Sequence, residues 1–560
     1  MNQAVKKPLE MSGAQVFWTM LQEEGVEYVF GVCGITNIPL LHALDDFPDI
    51  TFIHAAHESV AMGMADGYYR ATGKIGVVVV HNSGGLSNAM ANLQNAYASG
   101  SAVLVVAGQS DAPLAWNERL FDADCRPMVS QVTKAAWMLT DAIDMAVAVN
   151  RALKEALTPS FRPVFLSLST RSQSEMVNFI PWPSRGRQVA VDITCSATKL
   201  AAAVELLAKA ERPVVFASRL VADADGVAEL VRLADTLGAP VYTGSEEKLI
   251  FPSNHPLYRG TVFQHSNAMR YLASSADVLL TLGSELFRYA DLPDGPVVSS
   301  VTKVIQIDLE VEALARQCST DLALLANPKL ALAELSDALI GRVPAAVHAA
   351  RMKHWVNEFD QRKAFVGDCL NEDWQATPIR WGAAFKEIEA ALPEGAVVVD
   401  ELASFYGQLP KVMSFSEPGS YFAHCDALGW GMPATLGVAL GNPGKSVVGL
   451  LGDGAALFCI HALLTAAKYD IPAVYVILNN SGYGCMRNLF KGFGQAVGRE
   501  MNDVDCEAYD IPALNYSELA SQFGIEGRRV SDPTCIKPVL AEVLALKKPA
   551  LIELMICPDG

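Results

Sequence analysis

The 560-residue chain lacks the features of a membrane, secreted or nucleic-acid-binding protein. No apolar run approaches the ~18 residues that a membrane-spanning helix needs. The amino terminus, MNQAVKKPLEMSGAQ, has two lysines but no apolar core after them, so we expect no secretory signal. Basic residues are in deficit, because 43 lysines and arginines face 61 aspartates and glutamates, for a net charge of −18. That balance argues against nucleic acids and anionic membranes as partners.

Cysteines are scattered, and none of the 11 forms a CxxC pair or a His/Cys cluster at zinc spacing. Reduced thiols fit this usage best, so we predict a cytoplasmic protein. Hydrophobic residues make up 51% of the chain and charged residues 19%, which is ordinary for a globular protein. The chain is too long for a single core, so several domains are expected.

Three stretches of the chain alternate apolar strands with helical segments, the pattern of doubly wound parallel sheets. We predict an α/β fold of three domains, covering residues 1–180, 190–343 and 375–560. The predicted strands are YVFGV, FIHAA, IGVVVVH, AVLVVAG and PVFLSLS, then PVVFASR, DVLLTLG and VIQIDLE, and finally AVVVDE, SVVGLL, AVYVIL and PALIELM. We interpret EMVNFIPWPSRGRQ as a linker and HAARMKHWVNEFDQRKAF as a polar helical connector.

The stretch LGDGAALFCIHALLTAAKYDIPAVYVILNNSGYG carries the strongest chemical signal. Asp453 follows one predicted strand and Asn480 follows the next, 27 positions later, so both should lie at one carboxyl edge of a parallel sheet. With the backbone carbonyl of Gly482 they form an all-oxygen site suited to Mg²⁺, and Ca²⁺ stays open as an alternative. A helix expected to start near Ala456 would direct its amino end, which favours anions, at the same place. The pattern predicts a metal-bridged diphosphate.

This motif resembles the diphosphate–metal motif of thiamine diphosphate (ThDP) enzymes. The string HAAHESVAMGMADGYYRATG, which contains Glu58, resembles the catalytic-glutamate region of ThDP-dependent decarboxylases and carboligases. The resemblance covers nearly the whole chain and implies pyrimidine-binding, middle and diphosphate-binding domains. It implies ThDP and Mg²⁺ as cofactors, with Glu58 bonded to N1′ of the aminopyrimidine so that a C2 ylid can form. It also implies a homo-oligomer, a dimer or tetramer, with active sites between subunits.

The resemblance assigns further cofactor contacts in the third domain. Leu428, in ALGWGMP, matches the bulky residue beneath the bent cofactor, and the backbone carbonyl of Asp426 matches the acceptor for its 4′-amino group. The other cofactor-binding positions implied are Ala403, Ser404, Gly452, Gly454, Ala455, Tyr483 and Gly484. Ala455 departs from the family pattern, because relatives often place a phosphate-binding serine there.

Within the family the resemblance is strongest to benzoylformate decarboxylases. His81, in HNSGGLSNAM, matches their catalytic histidine and follows an apolar strand, where its imidazole could exchange protons with a substrate. Two other positions depart from that pattern. Ile35 stands where those enzymes have a substrate-binding serine, and Ala290 stands where they have a second histidine.

The remaining predicted pocket residues are Gln109, Cys485, Met486 and Leu489, and His54, His57 and His424 are candidates to replace the missing histidine. We predict ThDP-dependent decarboxylation of a 2-oxo acid with an aromatic or bulky apolar side chain, through an enamine. A carboligase or carbon–carbon lyase, similar to acetolactate synthase or benzaldehyde lyase, is the alternative reading, since Ile35 and Ala290 depart from the decarboxylase pattern. A third alternative is a ThDP-binding scaffold with little turnover. A flavin in the middle domain, as in some members of the family, stays open as an alternative, although no motif for one is readable there.

Overall fold

The computed structural model describes residues 8–111, 123–181, 189–244, 248–262, 266–283, 293, 295–371, 374–424, 426–496 and 509–558. Within these ranges the chain forms three six-stranded sheets, each parallel throughout, and a two-stranded antiparallel ribbon. Helices cover the sheets, and the buried strands supply much of the core. The predicted α/β fold class with three parallel-sheet domains is confirmed, while the domain boundaries stay predictions.

The first sheet has the strand order β3-β2-β4-β5-β7-β6, and the ribbon pairs β1 with β8. The strands of this part are β1 (Leu9–Ser12), β2 (Tyr28–Val32), β3 (Thr51–His54), β4 (Gly76–His81), β5 (Val103–Gln109), β6 (Ala135–Leu139), β7 (Val164–Ser169) and β8 (Met176–Phe179). The helices are α1 (Gly13–Glu23), α2 (Ile38–Ala43), α3 (Glu58–Thr72), α4 (Asn82–Ala98), α5 (Arg126–Val129), α6 (Met145–Ala156) and α7 (Thr170–Ser174).

The second sheet has the order β11-β10-β9-β12-β13-β14. Its strands are β9 (Pro213–Ala217), β10 (Val241–Thr243), β11 (Tyr258–Thr261), β12 (Val278–Leu282), β13 (Lys303–Asp308) and β14 (Leu322–Leu325). The helices are α8 (Ala197–Lys209), α9 (Leu220–Asp223), α10 (Val227–Leu237), α11 (Ser266–Ser275), α12 (Pro328–Leu339) and the connector α13 (Ala345–Asn371).

The third sheet has the order β16-β15-β17-β18-β20-β19. Its strands are β15 (Val397–Glu401), β16 (Tyr421–Ala423), β17 (Val447–Gly452), β18 (Ala473–Asn479), β19 (Glu526–Val530) and β20 (Ala550–Met555). The helices are α14 (Trp381–Ala391), α15 (Leu409–Val412), α16 (Gly431–Gly441), α17 (Asp453–Leu457), α18 (Ala462–Tyr469), α19 (Gly484–Ala496), α20 (Tyr516–Gln522) and α21 (Ile536–Ala545).

The first and third sheets share one topology. In the first sheet β3 lies at the edge beside β2, and in the third sheet β16 lies at the edge beside β15. In both sheets the next strand of the chain then pairs with the opposite side of β2 or β15. The order therefore reverses between β2 and β4 in the first sheet and between β15 and β17 in the third. Ligands of open α/β sheets bind beyond the carboxyl ends of the strands at such a reversal. The topology marks these two places as candidate binding edges.

Helices α3 and α16 join the first and third domains through close backbone contact. A Cβ added to Gly437 would lie 2.0 Å from the carbonyl oxygen of Met64, and one added to Gly67 would lie 2.4 Å from that of Ala434. Larger residues at these positions would force the helices apart, so the small residues of both helices set their separation. Among the described helices, none has the length and apolar composition of a membrane span.

Two local predictions need correction. The first part of the segment interpreted as a linker contains β8, which pairs with β1 from Leu9↔Phe179 to Ser12↔Met176. Residues 182–188 of that segment lie outside the described residues. The helix expected near Ala456 begins at Asp453 and ends at Leu457, because the chain turns into it directly from β17. A second helix, α18, then fills the rest of the connection to β18.

Candidate active site

A cavity of about 220 Å³ opens beyond β15, β17 and β18, at the reversal of the third sheet. It contains most of the cofactor and metal residues predicted in this domain. The lining residues are Leu402, Ala403, Ser404, Phe405, Leu428, Gly452, Asp453, Gly454, Ala455, Leu478, Asn480, Gly482, Tyr483, Cys485 and Met486. Asp426, Gly484 and Leu489 are not part of this lining, although Gly484 begins α19 directly beside it.

The three predicted metal ligands converge at one end of the cavity. One heteroatom of the Asn480 amide lies 2.7 Å from the carbonyl oxygen of Gly482 and 3.1 Å from Oδ1 of Asp453. If this atom is the amide nitrogen, it donates hydrogen bonds to both oxygens. In the opposite orientation of the amide, the atom is an oxygen, and the oxygens of Asn480, Gly482 and Asp453 face one another, an arrangement that a bound cation would stabilise. Neighbouring oxygens around octahedral Mg²⁺ lie about 2.9 Å apart, so the spacing fits that ion.

The Asp453 carboxylate is held in a buried setting. Its Oδ1 accepts the N–H of Gly454 at 2.8 Å, and its Oδ2 accepts that of Gly482 at 3.2 Å. Burial raises the pKa of Asp453 to about 6, against the lowering effect of these backbone bonds. A dication at the cluster would favour the charged carboxylate and offset the cost of its burial. Within the described ranges no group of three or more His, Cys, Asp or Glu side chains is placed to hold a metal.

Hydrogen bonds tie the cavity wall to its neighbours. Ser404 Oγ accepts the N–H of Cys485 at 3.0 Å, which joins the turn after β15 to the start of α19. The Tyr516 hydroxyl donates to the carbonyl oxygen of Asp453 at 3.0 Å. Cys485 and Met486 give the wall a sulfur-rich, apolar patch, and burial raises the pKa of the Cys485 thiol, so it remains neutral.

The loop that carries Leu428 is held from below by Glu401, which the sequence analysis did not select. Glu401 is fully buried, and its carboxylate accepts the N–H groups of Gly429, Trp430 and Gly431 at 2.8–2.9 Å. Burial raises the pKa of Glu401 to about 8, while the three N–H groups favour its charged form. The available signal was the pair of acids that ends the otherwise apolar strand AVVVDE.

Helix α4 of the first domain holds the same loop from the other side. Asn95 forms two hydrogen bonds of 2.8 Å with the backbone of Ala427, and Gln94 donates to Asp426 Oδ2 at 2.7 Å. The side chain of Asp426 is thus engaged within the chain. These contacts fix the loop that presents Leu428 to the cavity.

Glu58 is the first residue of α3 and is only 8% exposed. Its Oε2 accepts a hydrogen bond of 3.0 Å from Asn88 on α4. His57 precedes it as the helix cap, with Nδ1 accepting the N–H of Ser59 at 3.2 Å. Neither Glu58 nor His81 lines the cavity of the third domain of its own chain.

His81 ends β4, at the reversal of the first sheet. Its Nδ1 lies 2.9 Å from Oγ1 of Thr36, in the turn after β2. Thr36 is 7% exposed, whereas Ile35 is 70% exposed. A hydroxyl is therefore present one residue after Ile35, at a position that was not among the predicted site residues. The signal in the sequence was a polar residue, Thr36, shortly after β2, the strand that pairs with β4 and its terminal His81.

The other predicted pocket residues are more dispersed. Gln109 ends β5, and its Oε1 accepts the hydroxyl of Ser167 at 2.6 Å. Leu489 lies exposed on α19, and Ala290 lies outside the described residues. Of the candidate replacement histidines, His54 is exposed at the end of β3, and His57 packs edge-on against His461. Burial lowers the pKa of His424 to about 4, so its imidazole is neutral at neutral pH.

Three family descriptions match the chain in order. They are "Thiamine pyrophosphate enzyme, N-terminal TPP binding domain" at residues 11–122, the "central domain" of the same enzymes at 200–335, and their "C-terminal TPP binding domain" at 405–554. The match to the N-terminal binding domain includes Glu58 and His81. The match to the C-terminal binding domain includes the predicted metal ligands Asp453, Asn480 and Gly482. The chain therefore has both ThDP-binding domains of this family.

Relatives match over nearly their whole length. The benzoylformate decarboxylase of Pseudomonas aeruginosa is 28% identical, over 96% of this chain and 97% of its own. A probable acetolactate synthase large subunit of Methanocaldococcus jannaschii is 26% identical, over 98% and 92%. The solved ThDP-dependent 4-hydroxybenzoylformate decarboxylase of Rhodococcus jostii RHA1 superposes with a TM-score of 0.83 at 26% identity, over 98% and 100%. The chain belongs to the family of ThDP-dependent enzymes that contains these decarboxylases and carboligases.

Proposed function

We propose that the chain is a ThDP- and Mg²⁺-dependent decarboxylase of 2-oxo acids with aromatic or bulky apolar side chains. The observation that carries this proposal is the histidine at the reversal of the first sheet, whose imidazole would add a proton-exchanging group to the cofactor site of a second copy. The benzoylformate decarboxylase relatives and the apolar Cys485 and Met486 of the cavity support the choice of substrate class.

Each residue has a role that follows from its position. Asp453, Asn480 and Gly482 would hold Mg²⁺ against the diphosphate, with Leu428 beneath the cofactor. Bound ThDP supplies the electron sink that allows the bond between a carbonyl carbon and a carboxylate to break. Glu58 would exchange a proton with the aminopyrimidine ring, and His81 would give and take a proton at the substrate. The apolar wall would exclude water from the reacting carbons.

We also propose a homo-oligomer in which Glu58 and His81 from one copy meet the cavity of a second. In support, Glu58 and His81 are absent from the lining of their own chain's cavity. Apolar residues are exposed on both edges, with Ile35 at 70% on the first domain and Met486 and Leu489 at 42% and 51% on the third. Pairing of these edges would cover the exposed apolar surface.

A decarboxylase must release CO₂ from a 2-oxo acid in the presence of both cofactors. The assay uses the full chain loaded with ThDP and Mg²⁺, against a series of aliphatic and aromatic 2-oxo acids. Samples without ThDP, or with the metal removed by a chelator, serve as controls. Release that depends on both cofactors and favours the aromatic acids is expected, whereas no release from any acid by ThDP-loaded protein would reject the decarboxylase.

The second candidate function is the joining or cleaving of carbon–carbon bonds between aldehydes or ketones. Ile35 favours it, because this exposed apolar side chain replaces the substrate-binding serine of the benzoylformate decarboxylase pattern. In that case aldehyde pairs, incubated with the loaded protein and followed by chromatography, would yield hydroxyketones without any release of CO₂.

Removal of one metal oxygen should weaken cofactor binding. The Asp453→Asn variant loses the charged ligand, so we expect Mg²⁺-dependent binding of ThDP to weaken by roughly 100-fold or more. Titration calorimetry with ThDP at fixed Mg²⁺ measures this. Asp470→Asn is the matched control, since Asp470 is exposed in the same domain and has a left-handed backbone that asparagine adopts readily. Equal affinities in the two variants would exclude Asp453 as a ligand.

A further inference from the structure

The imidazole of His81 lies in a cradle formed by the turn after β2. Strands β2 and β4 are parallel neighbours, with Val32 beside Val80, so the turn that follows β2 lies next to His81. Thr36 Oγ1 is 2.9 Å from His81 Nδ1. A Cβ added to Gly34 would lie 2.4 Å from Cγ and 2.7 Å from Nδ1 of the ring, so only glycine leaves room for the imidazole there.

The cradle is itself fixed from behind. Gln173 is fully buried, and its Nε2 donates to the carbonyl oxygen of Thr36 at 2.8 Å and to that of Leu168 at 3.1 Å. Asn37 Oδ1 accepts the N–H of Gly34 at 3.2 Å and closes the turn. Gln173 thus fixes the backbone of Thr36, and the Asn37 side chain fixes the turn around it. The Thr36 hydroxyl therefore has a defined position against the His81 ring.

We propose that Thr36 is a positioning residue that accepts a hydrogen bond from Nδ1–H of His81 and thereby makes Nε2 the atom that exchanges protons with the substrate. The proposal rests on the proposed function, in which His81 is the acid–base group. A hydroxyl oxygen has lone pairs that can accept from Nδ1–H whether or not Nε2 carries a proton. The contact therefore persists through the proton cycle, and the ring keeps one orientation and one tautomer.

The two neighbouring residues Ile35 and Thr36 of this turn therefore have different roles. Ile35 points its apolar side chain to the exterior of the chain, where a substrate or a second copy would meet it, while Thr36 faces inward to the histidine. The hydroxyl thus acts through His81 and has no direct contact with the substrate. A substitution at Thr36 should then alter turnover more than substrate binding.

The test compares Thr36→Val and Thr36→Ser with a matched control, Thr133→Val. Thr133 lies in the same domain, is 8% exposed, and donates its hydroxyl to the carbonyl oxygen of Val129 at 2.9 Å. Nitrogen NMR of protein labelled in its ten histidines reports the ring tautomer, with His81→Gln assigning the His81 signals. The same holoenzymes are assayed for kcat and KM.

In the wild-type protein the neutral His81 ring is expected to carry its proton on Nδ1. Thr36→Val should raise the fraction with the proton on Nε2 and lower kcat roughly three- to tenfold, with a smaller change in KM. Thr36→Ser should restore both to within about twofold of the wild type, and Thr133→Val should change neither.

A wild-type ring protonated on Nε2 would overturn the proposal, as would a valine variant with an unchanged tautomer and rate. Should Thr36→Val fail to fold, the wild-type tautomer and the serine variant still decide it. The NMR measurement needs no substrate, so it tests the contact even if no 2-oxo acid releases CO₂. Absence of CO₂ release would then reject the proposed function alone.

Discussion

Replacing Glu58 with glutamine is expected to abolish nearly all turnover while the protein still binds ThDP. The two side chains have almost the same shape, and a glutamine oxygen can still accept the hydrogen bond that Asn88 donates at 3.0 Å. Only the ability to exchange a proton is lost. Loss of an acid–base group commonly costs roughly 10²–10⁴-fold in rate, so kcat should fall by that factor. Stopped assays of substrate consumption and titration calorimetry with ThDP give the two values.

Glu27→Gln is the control for this experiment. Glu27 lies in the same domain and accepts the hydroxyl of Tyr68, near the far end of α3. It has no place in the proposed site, so its variant should keep the wild-type rate. An active parent with an inactive Glu58→Gln variant would exclude a scaffold with little turnover. A Glu58→Gln variant that works at the wild-type rate would instead remove Glu58 from the mechanism.

The fold was predictable where strands are buried on both faces. The segments AVVV, VVGLL and AVYVIL are continuous apolar runs, because helices cover both sides of a parallel sheet. Edge strands carry a weaker pattern. Strand β19, EGRRV, has three charged side chains in five residues, and the other edge strand of that sheet, β16, has only three residues, so neither stands out from a loop. Pairing of β8 with β1 joins residues about 165 positions apart and depends on the tertiary fold.

The candidate site also contains residues that could be predicted from the sequence and residues that could not. Asp453 and Asn480 could be selected because each follows its own strand, and the carboxyl ends of neighbouring strands must meet. Thr36 and Glu401 were missed because their partners are set by strand order and loop packing, which a single sequence does not specify. His81 meets Thr36 only because β2 and β4 are adjacent, although β3 lies between them in the chain. The roles of all these residues stay predictions until the variants are made.

Replacing Asp66 with alanine is expected to lower the free energy of unfolding more than any other substitution proposed for this protein. Asp66 and Arg70 form a 2.7 Å ion pair with both side chains fully buried. The carboxylate also accepts the indole N–H of Trp430 at 2.6 Å, and Arg70 donates to the carbonyl oxygen of Ala423 at 2.8 Å. In Asp66→Ala a buried guanidinium loses its counter-charge, so the free energy of unfolding should fall by about 3–5 kcal/mol. Urea denaturation followed by tryptophan fluorescence measures the change.

Two further variants decide whether the loss comes from an uncompensated charge. In the double variant Asp66→Leu/Arg70→Leu no charge is left buried, so part of the stability should return, although the indole N–H of Trp430 and the carbonyl oxygen of Ala423 still lose their partners. Arg126→Ala breaks an exposed ion pair with Asp124, and it should cost no more than about 1 kcal/mol. Because Trp430 lies in the Leu428 loop and Asp66 on α3, a destabilised Asp66→Ala protein should also bind ThDP more weakly. If Asp66→Ala were as stable as Arg126→Ala, the buried Asp66 carboxylate would not stabilise the contact between the first and third domains.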